Sequence, residues 1–182
     1  MKRFVVALMM VAFATSSMAG LVAQTAAPID VGALDSQVTL AMDLDDDVDM
    51  MMVAGRLTYG AIEDLLVSVE LGYETEMEVI PLSLAVQYAL SMLELPVDLA
   101  VRAELDMMSL EDAAESMSVK VGAVVSAAIE QVAGLALYGA LGMNIPVGDL
   151  ADMMDNELQI AGGATYDLPV EGLGCLLELA YG

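Results

Sequence analysis

The sequence contains no histidine, no tryptophan and a single cysteine in 182 residues. Without histidine, the chain cannot form the Ser-His, Asp-His or Cys-His arrangements that perform acid–base and nucleophilic catalysis, nor a histidine-ligated metal site. One cysteine cannot form an internal disulfide. We therefore expect a non-enzymatic protein with no cofactor.

Basic residues are also scarce, with 5 Lys and Arg against 28 Asp and Glu. Lys2 and Arg3 lie in what reads as a removable leader, so the remaining chain has three basic residues and a net charge of −25. Nucleic-acid binding depends on Lys and Arg neutralising phosphates, which excludes it here. Apolar residues make up 58% of the chain, and disorder combines high charge with low hydrophobicity. We expect one folded domain.

Residues 1–19 follow the secretory pattern. Two basic residues precede the apolar run from Phe4 to Ala14, and Ser17-Met18-Ala19 is a small-x-small cleavage site. A mature start at Gly20 is expected, with Leu21 or Gln24 as alternatives. An uncleaved anchor is disfavoured because the run is too short to span about 30 Å of hydrocarbon. We predict a signal peptide at 1–19, a polar segment at 20–36 and a β-domain at 37–182.

Apolar and non-apolar residues alternate with a period of two along the mature chain, which is typical of β-strands. In the clearest segment, Ile80, Leu82 and Leu84 alternate with Ser83 and Ala85. Nine candidate strands follow this pattern, near residues 38–44, 51–59, 67–73, 80–90, 97–105, 118–127, 133–143, 157–166 and 173–181. The stretch 121–142 is also apolar enough for a membrane helix, but its β-branched residues and the polar pair Glu130-Gln131 favour a hairpin.

The non-apolar face of these strands is mostly Ala, Gly, Ser and Thr, with few charges. A soluble barrel or sandwich would present charges to water on that face. Small polar residues suit the interior of a narrow barrel, and a continuous Leu/Val/Met face suits lipid. We predict an all-β, antiparallel up-and-down transmembrane β-barrel of about 8 strands, within a range of 8 to 10. Acids concentrate in alternate links, which predicts long acidic loops at one end and short turns at the other.

The charged residues inside the strands are expected to face the lumen, where opposite charges can pair. A tight turn at 62–64 puts Arg56 opposite Glu70, and a pairing of the fifth and sixth strands puts Glu104 opposite Lys120. The expected lumen-facing charges are Arg56, Glu70, Asp98, Arg102, Glu104, Lys120 and Glu178.

These hairpins resemble those of the small bacterial outer-membrane β-barrel proteins, the OmpA/OmpX-like group in a broad sense. Their strand–turn–strand unit resembles the segment that begins at Thr58-Tyr59-Gly60, continues through a turn containing Asp64 and ends in a Leu-rich strand. Residues 165–173 look like a second copy of this unit. The alternation from Leu173 to Tyr181 resembles the terminal signal that the barrel-insertion machinery reads. The resemblance implies an even strand number and a role in envelope integrity, adhesion or a narrow pore.

The resemblance also implies aromatic residues at the membrane interfaces. Tyr59, Tyr88 and Tyr166 each precede a short turn, as a one-sided girdle would, and Tyr181 closes the last strand; these four are the expected interface aromatics.

Four other features have both a functional and a structural interpretation. Asp43, Asp45, Asp46, Asp47 and Asp49 could hold Ca²⁺ or Mg²⁺ weakly, although the loop lacks the glycine and the distal glutamate of an EF-hand, and a solvated acidic loop is favoured. The sixteen methionines are interpreted as adaptable hydrophobic filler, and Cys175 as an inert lipid-facing thiol. Glu70 and Glu178 as a glycosidase pair are disfavoured.

The sequence thus predicts a non-enzymatic outer-membrane β-barrel protein with a structural or surface-interaction role in the bacterial envelope. Its expected partners are the lipid bilayer of the outer membrane and, during biogenesis, the insertion machinery. One alternative is a narrow, cation-preferring, porin-like channel. Another is a secreted soluble β-barrel that binds an apolar ligand and would place Leu and Val inside.

Overall fold

A computed structural model describes residues 25–42, 51–74, 79–93, 95–109, 116–148, 155–167 and 174–181. These residues form nine β-strands, and each candidate strand of the sequence corresponds to one of them. The number lies within the predicted range of 8 to 10, but it is odd, so the even number that the resemblance implies is wrong for the described strands. The strands are β1 Leu34–Met42, β2 Met51–Ile62, β3 Leu65–Glu74, β4 Ile80–Ala89, β5 Asp98–Ser109, β6 Ser116–Ala128, β7 Leu135–Val147, β8 Glu157–Asp167 and β9 Gly174–Tyr181. β1 begins slightly before the predicted domain boundary at residue 37.

All nine strands belong to one sheet in which every strand pairs antiparallel with its neighbour in the chain, in the order β1 to β9. The sheet is curled into a half-barrel. As a result, the carboxylate of Glu178 on β9 lies within electrostatic range of Arg56 on β2 and Glu70 on β3. The all-β, up-and-down part of the fold prediction is confirmed. Because the strand number is odd, β1 and β9 run in the same direction.

The links between strands fall into two sets, one at each end of the half-barrel. At the N-terminal end, where β1 begins, the links are 63–64, 90–97, 129–134 and 168–173; at the acidic end they are 43–50, 75–79, 110–115 and 148–156. The described strands are separated by two to eight residues at the N-terminal end and by five to nine at the acidic end. Most of these link residues lie outside the described ones, so the contrast between long loops and short turns stays a prediction. The two sets differ in charge, with 5 acidic residues at the N-terminal end and 13 at the acidic end.

The link between β2 and β3 shows how a turn sets the register. The chain reverses over Glu63 and Asp64, and Asp64 adopts a left-handed conformation with φ of 63°. A bulge between Gly60 and Ile62 absorbs one residue, so the turn is one residue tighter than predicted. The pairing beyond it nevertheless matches the prediction, with Arg56 opposite Glu70 and Tyr59 opposite Val67.

The two faces of the sheet differ sharply in residue type. The convex face carries exposed apolar side chains, including Leu84, which is 44% exposed, and Val86 and Leu141. The concave face carries small or polar residues, most of them buried, such as Ala85 and Gln87. Successive residues of a strand point to opposite faces. The alternation in the sequence therefore produces one apolar face and one face of small or polar residues.

No helix in the described ranges has the length and hydrophobicity that a bilayer-spanning helix requires. The apolar stretch 121–142 forms parts of β6 and β7 with a turn between them. The hairpin interpretation of this stretch is therefore confirmed. In the turn that reverses the chain, Gly134 takes a positive φ of 81°.

Glycine at position 122 allows β6 and β7 to approach closely. A Cβ atom built on Gly122 would lie 2.6 Å from the carbonyl oxygen of Leu141 and 2.9 Å from the Cα of Gly142. Both contacts are with backbone, which cannot rotate away as a side chain can. By contrast, a Cβ on Gly139 of the same hairpin would be 3.8 Å from its nearest neighbour.

We therefore expect Gly122→Ala to destabilise the sheet by about 1–3 kcal/mol, the usual cost of overpacking. The measurement is the urea midpoint of the refolded protein in detergent micelles, followed by circular dichroism. Gly139→Ala is the matched control and should leave the midpoint nearly unchanged. Equal midpoints for the two variants would contradict the close approach of β6 and β7.

Candidate functional site

The charged residues of the strands, where their side chains are described, occupy concave positions of the register. Asp98 pairs with Ser126 and Glu178 with Gly163, both on the concave face. Asp98 is exposed at the start of β5, so it lies at the rim rather than inside. The residues on this face with charged side chains are Asp35, Arg56, Glu70, Asp98, Arg102, Glu104, Asp106, Lys120, Glu157 and Glu178.

Arg56 and Glu70 form an ion pair across the ladder between β2 and β3. Arg56 Nη2 lies 2.7 Å from Glu70 Oε2, and the two side chains are 3% and 12% exposed. The tight turn at Glu63-Asp64 fixes this partnership because it sets the register of the whole hairpin. A pair this deeply buried is held by mutual attraction, and loss of either member leaves an uncompensated charge.

A second group of charges links β5 to β6. Arg102 Nη2 donates to Glu104 Oε2 at 2.5 Å, and its Nε donates to the same oxygen at 3.0 Å. Lys120 lies opposite Glu104 in the register. Its Nζ is 3.9 Å from Glu104 Oε1 but only 2.8 Å from Asp106 Oδ2. Asp106 also accepts a hydrogen bond from the hydroxyl of Ser83 on β4. The group therefore ties three consecutive strands together.

The concave position of Asp106 corrects one expectation from the sequence. The alternation predicts a strand that ends near residue 105, with Asp106 in the acidic link after it, but β5 continues to Ser109. The signal was present, since residues 98, 100, 102, 104 and 106 share one face of a strand. Acidic residues usually mark a link, but Asp106 stays within the strand because Lys120 and Ser83 on the neighbouring strands bind its carboxylate.

Glu178 on β9 accepts a hydrogen bond from the hydroxyl of Tyr138 on β7 at 2.7 Å. The bond passes over β8, which lies between these two strands. Tyr138 is buried on the concave face, unlike the tyrosines that were predicted to be interfacial. The sequence does not predict this contact because the alternation near residue 138 is weak. Tyr138 nevertheless lies two residues before Ala140 on β7, and therefore on the same face of the strand.

The predicted interface tyrosines lie at two different ends of the half-barrel. Tyr59 and Tyr166 are 47% and 40% exposed on the convex face, and Tyr88 is partly exposed. All three are close to the N-terminal end. Tyr181 lies at the end of β9, opposite Ile160, and so belongs to the acidic end.

The N-terminal strap, residues Thr25–Ala33, lies across the N-terminal end of the concave face. The Ala26 N–H donates to Ser126 Oγ on β6 at 3.0 Å, and Gln87 Nε2 on β4 donates to the Thr25 carbonyl oxygen at 2.9 Å. Near the other end of the strap, Gly32 and Ala33 exchange backbone hydrogen bonds with Gly60 on β2. This contact was not foreseen, because the polar segment 20–36 has no periodicity that predicts where it packs.

The proposed divalent-metal loop, Asp43 to Asp49, lies outside the described residues, as do several of the methionines; the side chain of Cys175 is likewise not described. Among the described residues, no group of three or more Cys, Asp or Glu is arranged to hold a metal ion. The two carboxylates once considered for glycoside hydrolysis have other partners, since Glu70 pairs with Arg56 and Glu178 with Tyr138.

Taken together, the concave face is a network of paired charges and hydrogen bonds. Arg102 lies within electrostatic range of Arg56 and Glu70, so the two charge groups are not independent. Such a network can fix the register of the strands and exclude apolar molecules from the interior. Four carboxylates and three cations take part: Glu70, Glu104, Asp106 and Glu178 with Arg56, Arg102 and Lys120.

Comparisons with known proteins give no relative for this arrangement. No protein-family model matches the chain, and no curated protein or solved structure is significantly similar to it. The resemblance to small outer-membrane barrels therefore stays an interpretation of the sequence pattern.

We expect Arg56→Ala to destabilise the fold by about 3–5 kcal/mol, because it leaves Glu70 buried without its partner. The measurement is the urea midpoint in detergent. The double variant Arg56→Ala with Glu70→Gln is the control, and it should recover part of the loss because no buried carboxylate is left without its cation. An unchanged midpoint for Arg56→Ala would show that the pair does not stabilise this register.

Tyr138→Phe should cost about 1.5–3 kcal/mol, since the bond it removes is donated to a carboxylate. The same substitution at Tyr59 removes an exposed hydroxyl and serves as the control. Urea unfolding of both variants under identical conditions checks the difference. If Tyr138→Phe unfolded at the same urea concentration as the unmodified protein, the bond between β7 and β9 would have no stabilising role.

Proposed function

We propose that this chain is a non-enzymatic outer-membrane β-barrel protein that has a structural or surface-interaction role in the bacterial envelope. In this proposal a signal peptide directs it across the inner membrane, and the insertion machinery assembles it. The convex face contacts the acyl chains of lipid.

The single observation behind the proposal is the separation of residue types between the two faces. Where side chains are described, the strands carry no charged residue on the convex face, while apolar residues there remain 40–60% exposed at many positions, including Leu57, Val86 and Leu141. A soluble protein rarely exposes a continuous apolar surface of this extent. A transmembrane barrel requires such a band, because a charge in contact with lipid is costly.

Strand length supports the same conclusion. Strands β2 to β8 have 10 to 13 residues. A transmembrane strand tilted by about 45° needs about 9–11 residues to cross the hydrocarbon region. The exposed tyrosines near the N-terminal end, Tyr59, Tyr88 and Tyr166, fit a position at the level of the lipid headgroups.

The concave face argues against an apolar-ligand carrier. Such a protein would line its interior with Leu and Val, whereas Arg102 and Glu104 occupy this interior at 2% and 0% side-chain exposure. An apolar ligand placed there would have to displace paired charges from one another, which is strongly unfavourable.

The test of the proposal is where the expressed protein is found. The full chain should fractionate with the outer membrane and, after purification in detergent micelles, should give a strand-rich circular dichroism spectrum. Recovery of folded protein from the soluble periplasmic fraction, without detergent, would contradict a membrane location.

Leu84→Arg provides a sharper prediction, since Leu84 lies in the middle of the convex face of β4. An arginine in contact with lipid near the bilayer midplane costs about 2–4 kcal/mol and close to zero near the interface. Leu84→Arg should therefore reduce assembly into liposomes, measured by flotation and by resistance to unfolding in sample buffer. Ile62→Arg, at the exposed last residue of β2 next to the turn of the N-terminal end, is the matched control and should assemble normally. Equal assembly of both variants would place the convex face in water.

A further inference from the structure

The N-terminal strap occupies space that the walls of the half-barrel leave open. The concave residues around Ala26 are mostly small, and Ala26 is 0% exposed among them. Its cluster contains Ala100, Val124, Tyr138, Ala140 and Ala161 from β5 to β8. Small barrels are normally filled by their own wall side chains. At this end the alanine side chains are too short to fill the interior. The backbone of the strap fills it in place of larger side chains.

The two ends of the strap differ in their contacts with the described residues. Its Gly32 end is fastened to β2 by the backbone hydrogen bonds with Gly60. At its Thr25 end, within the described part of the chain, the strap accepts a hydrogen bond from Gln87 and donates one to Ser126. Breaking the hydrogen bonds at the Thr25 end and moving Ala26 out would therefore release this end while the Gly32 end stays attached.

The interior beyond the strap is polar. Gln87 and Gln159 are buried, and in the described part of the chain neither side-chain oxygen has a hydrogen-bond partner. Buried polar atoms normally have partners, which include water. Arg102, Glu104 and Lys120 lie on the same face, so this interior is lined by polar and charged groups.

We propose that the N-terminal strap is a plug that closes a narrow, cation-preferring pathway through the barrel, opened when Ala26 leaves its pocket. This inference rests on the membrane-barrel function proposed above. We expect a preference for cations because the concave network contains four carboxylates and three cationic side chains, and because acidic residues are concentrated in the links of the acidic end.

The experiment compares one substitution at two positions of the strap in planar bilayers. Ala26→Glu puts a charge into the alanine-lined pocket and should expel the strap. Val31→Glu puts the same charge at a position that is 62% exposed and should leave the strap seated. We expect Ala26→Glu to raise the time-averaged conductance severalfold over Val31→Glu and over the unmodified protein, with a reversal potential that shows cation preference.

A reversible lock provides the second measurement. The Ala26 nitrogen lies 3.0 Å from Ser126 Oγ, so a disulfide between Ala26→Cys and Ser126→Cys, with Cys175→Ser to remove the native thiol, joins neighbouring residues. Oxidation should suppress the openings, and a reductant should restore them. If Ala26→Glu fails to insert into the bilayer, the conductance of the oxidised and reduced disulfide variant tests the plug in its place.

Three results would overturn the plug. They are equal conductance of inserted Ala26→Glu and Val31→Glu, equal conductance of the oxidised and reduced lock, and anion-selective openings. Failure of the unmodified protein to float with liposomes is a different result. It would refute the membrane location itself and would be seen before any conductance is recorded.

Discussion

The structure depends on one constraint, which is the cost of an unpaired charge away from water. Arg56, Arg102 and Lys120 are all buried, and each lies beside a carboxylate. The strand register brings Glu70 to Arg56 and, diagonally, Asp106 to Lys120, whereas Arg102 pairs with Glu104 two residues further along the same strand. A shift of one residue in any of these ladders would turn the whole strand over and carry its charges to the apolar face. The pairing of charges and the sidedness of the sheet therefore support each other. Neither could be changed alone.

This constraint explains which parts of the fold could be read from the sequence. Alternation with a period of two defines the strands, and the turn at Glu63-Asp64 fixes the register of its hairpin, so the contact of Arg56 with Glu70 was predictable. For Lys120 the register predicted Glu104 as its partner, yet its ammonium group lies closer to Asp106. A long flexible side chain reaches diagonally to a second neighbour, and pairing rules for directly opposite residues do not capture this.

Contacts between distant parts of the chain were the least predictable. The hydrogen bond from Tyr138 to Glu178 depends on how far the sheet curls, which no local pattern specifies. The packing of Ala26 against Ser126 joins residues 100 positions apart, and nothing in the composition of residues 25–33 distinguishes a buried segment from a solvated one. The strand ends were also misjudged where acids continue into a strand, as at Asp106.

The sheet order, in which each strand pairs only with its neighbours in the chain, has a consequence for folding. Its ladders join segments that are close in sequence, so each hairpin can close with a small loss of chain entropy before the next one forms. Eight of the nine strands can be gathered into four such hairpins, and one terminal strand is left to join by itself. If that strand is β9, it arrives last, pairs only with β8 and brings Glu178, whose carboxylate accepts the hydrogen bond from Tyr138. The final step of folding would then be the docking of one short segment on an otherwise finished wall.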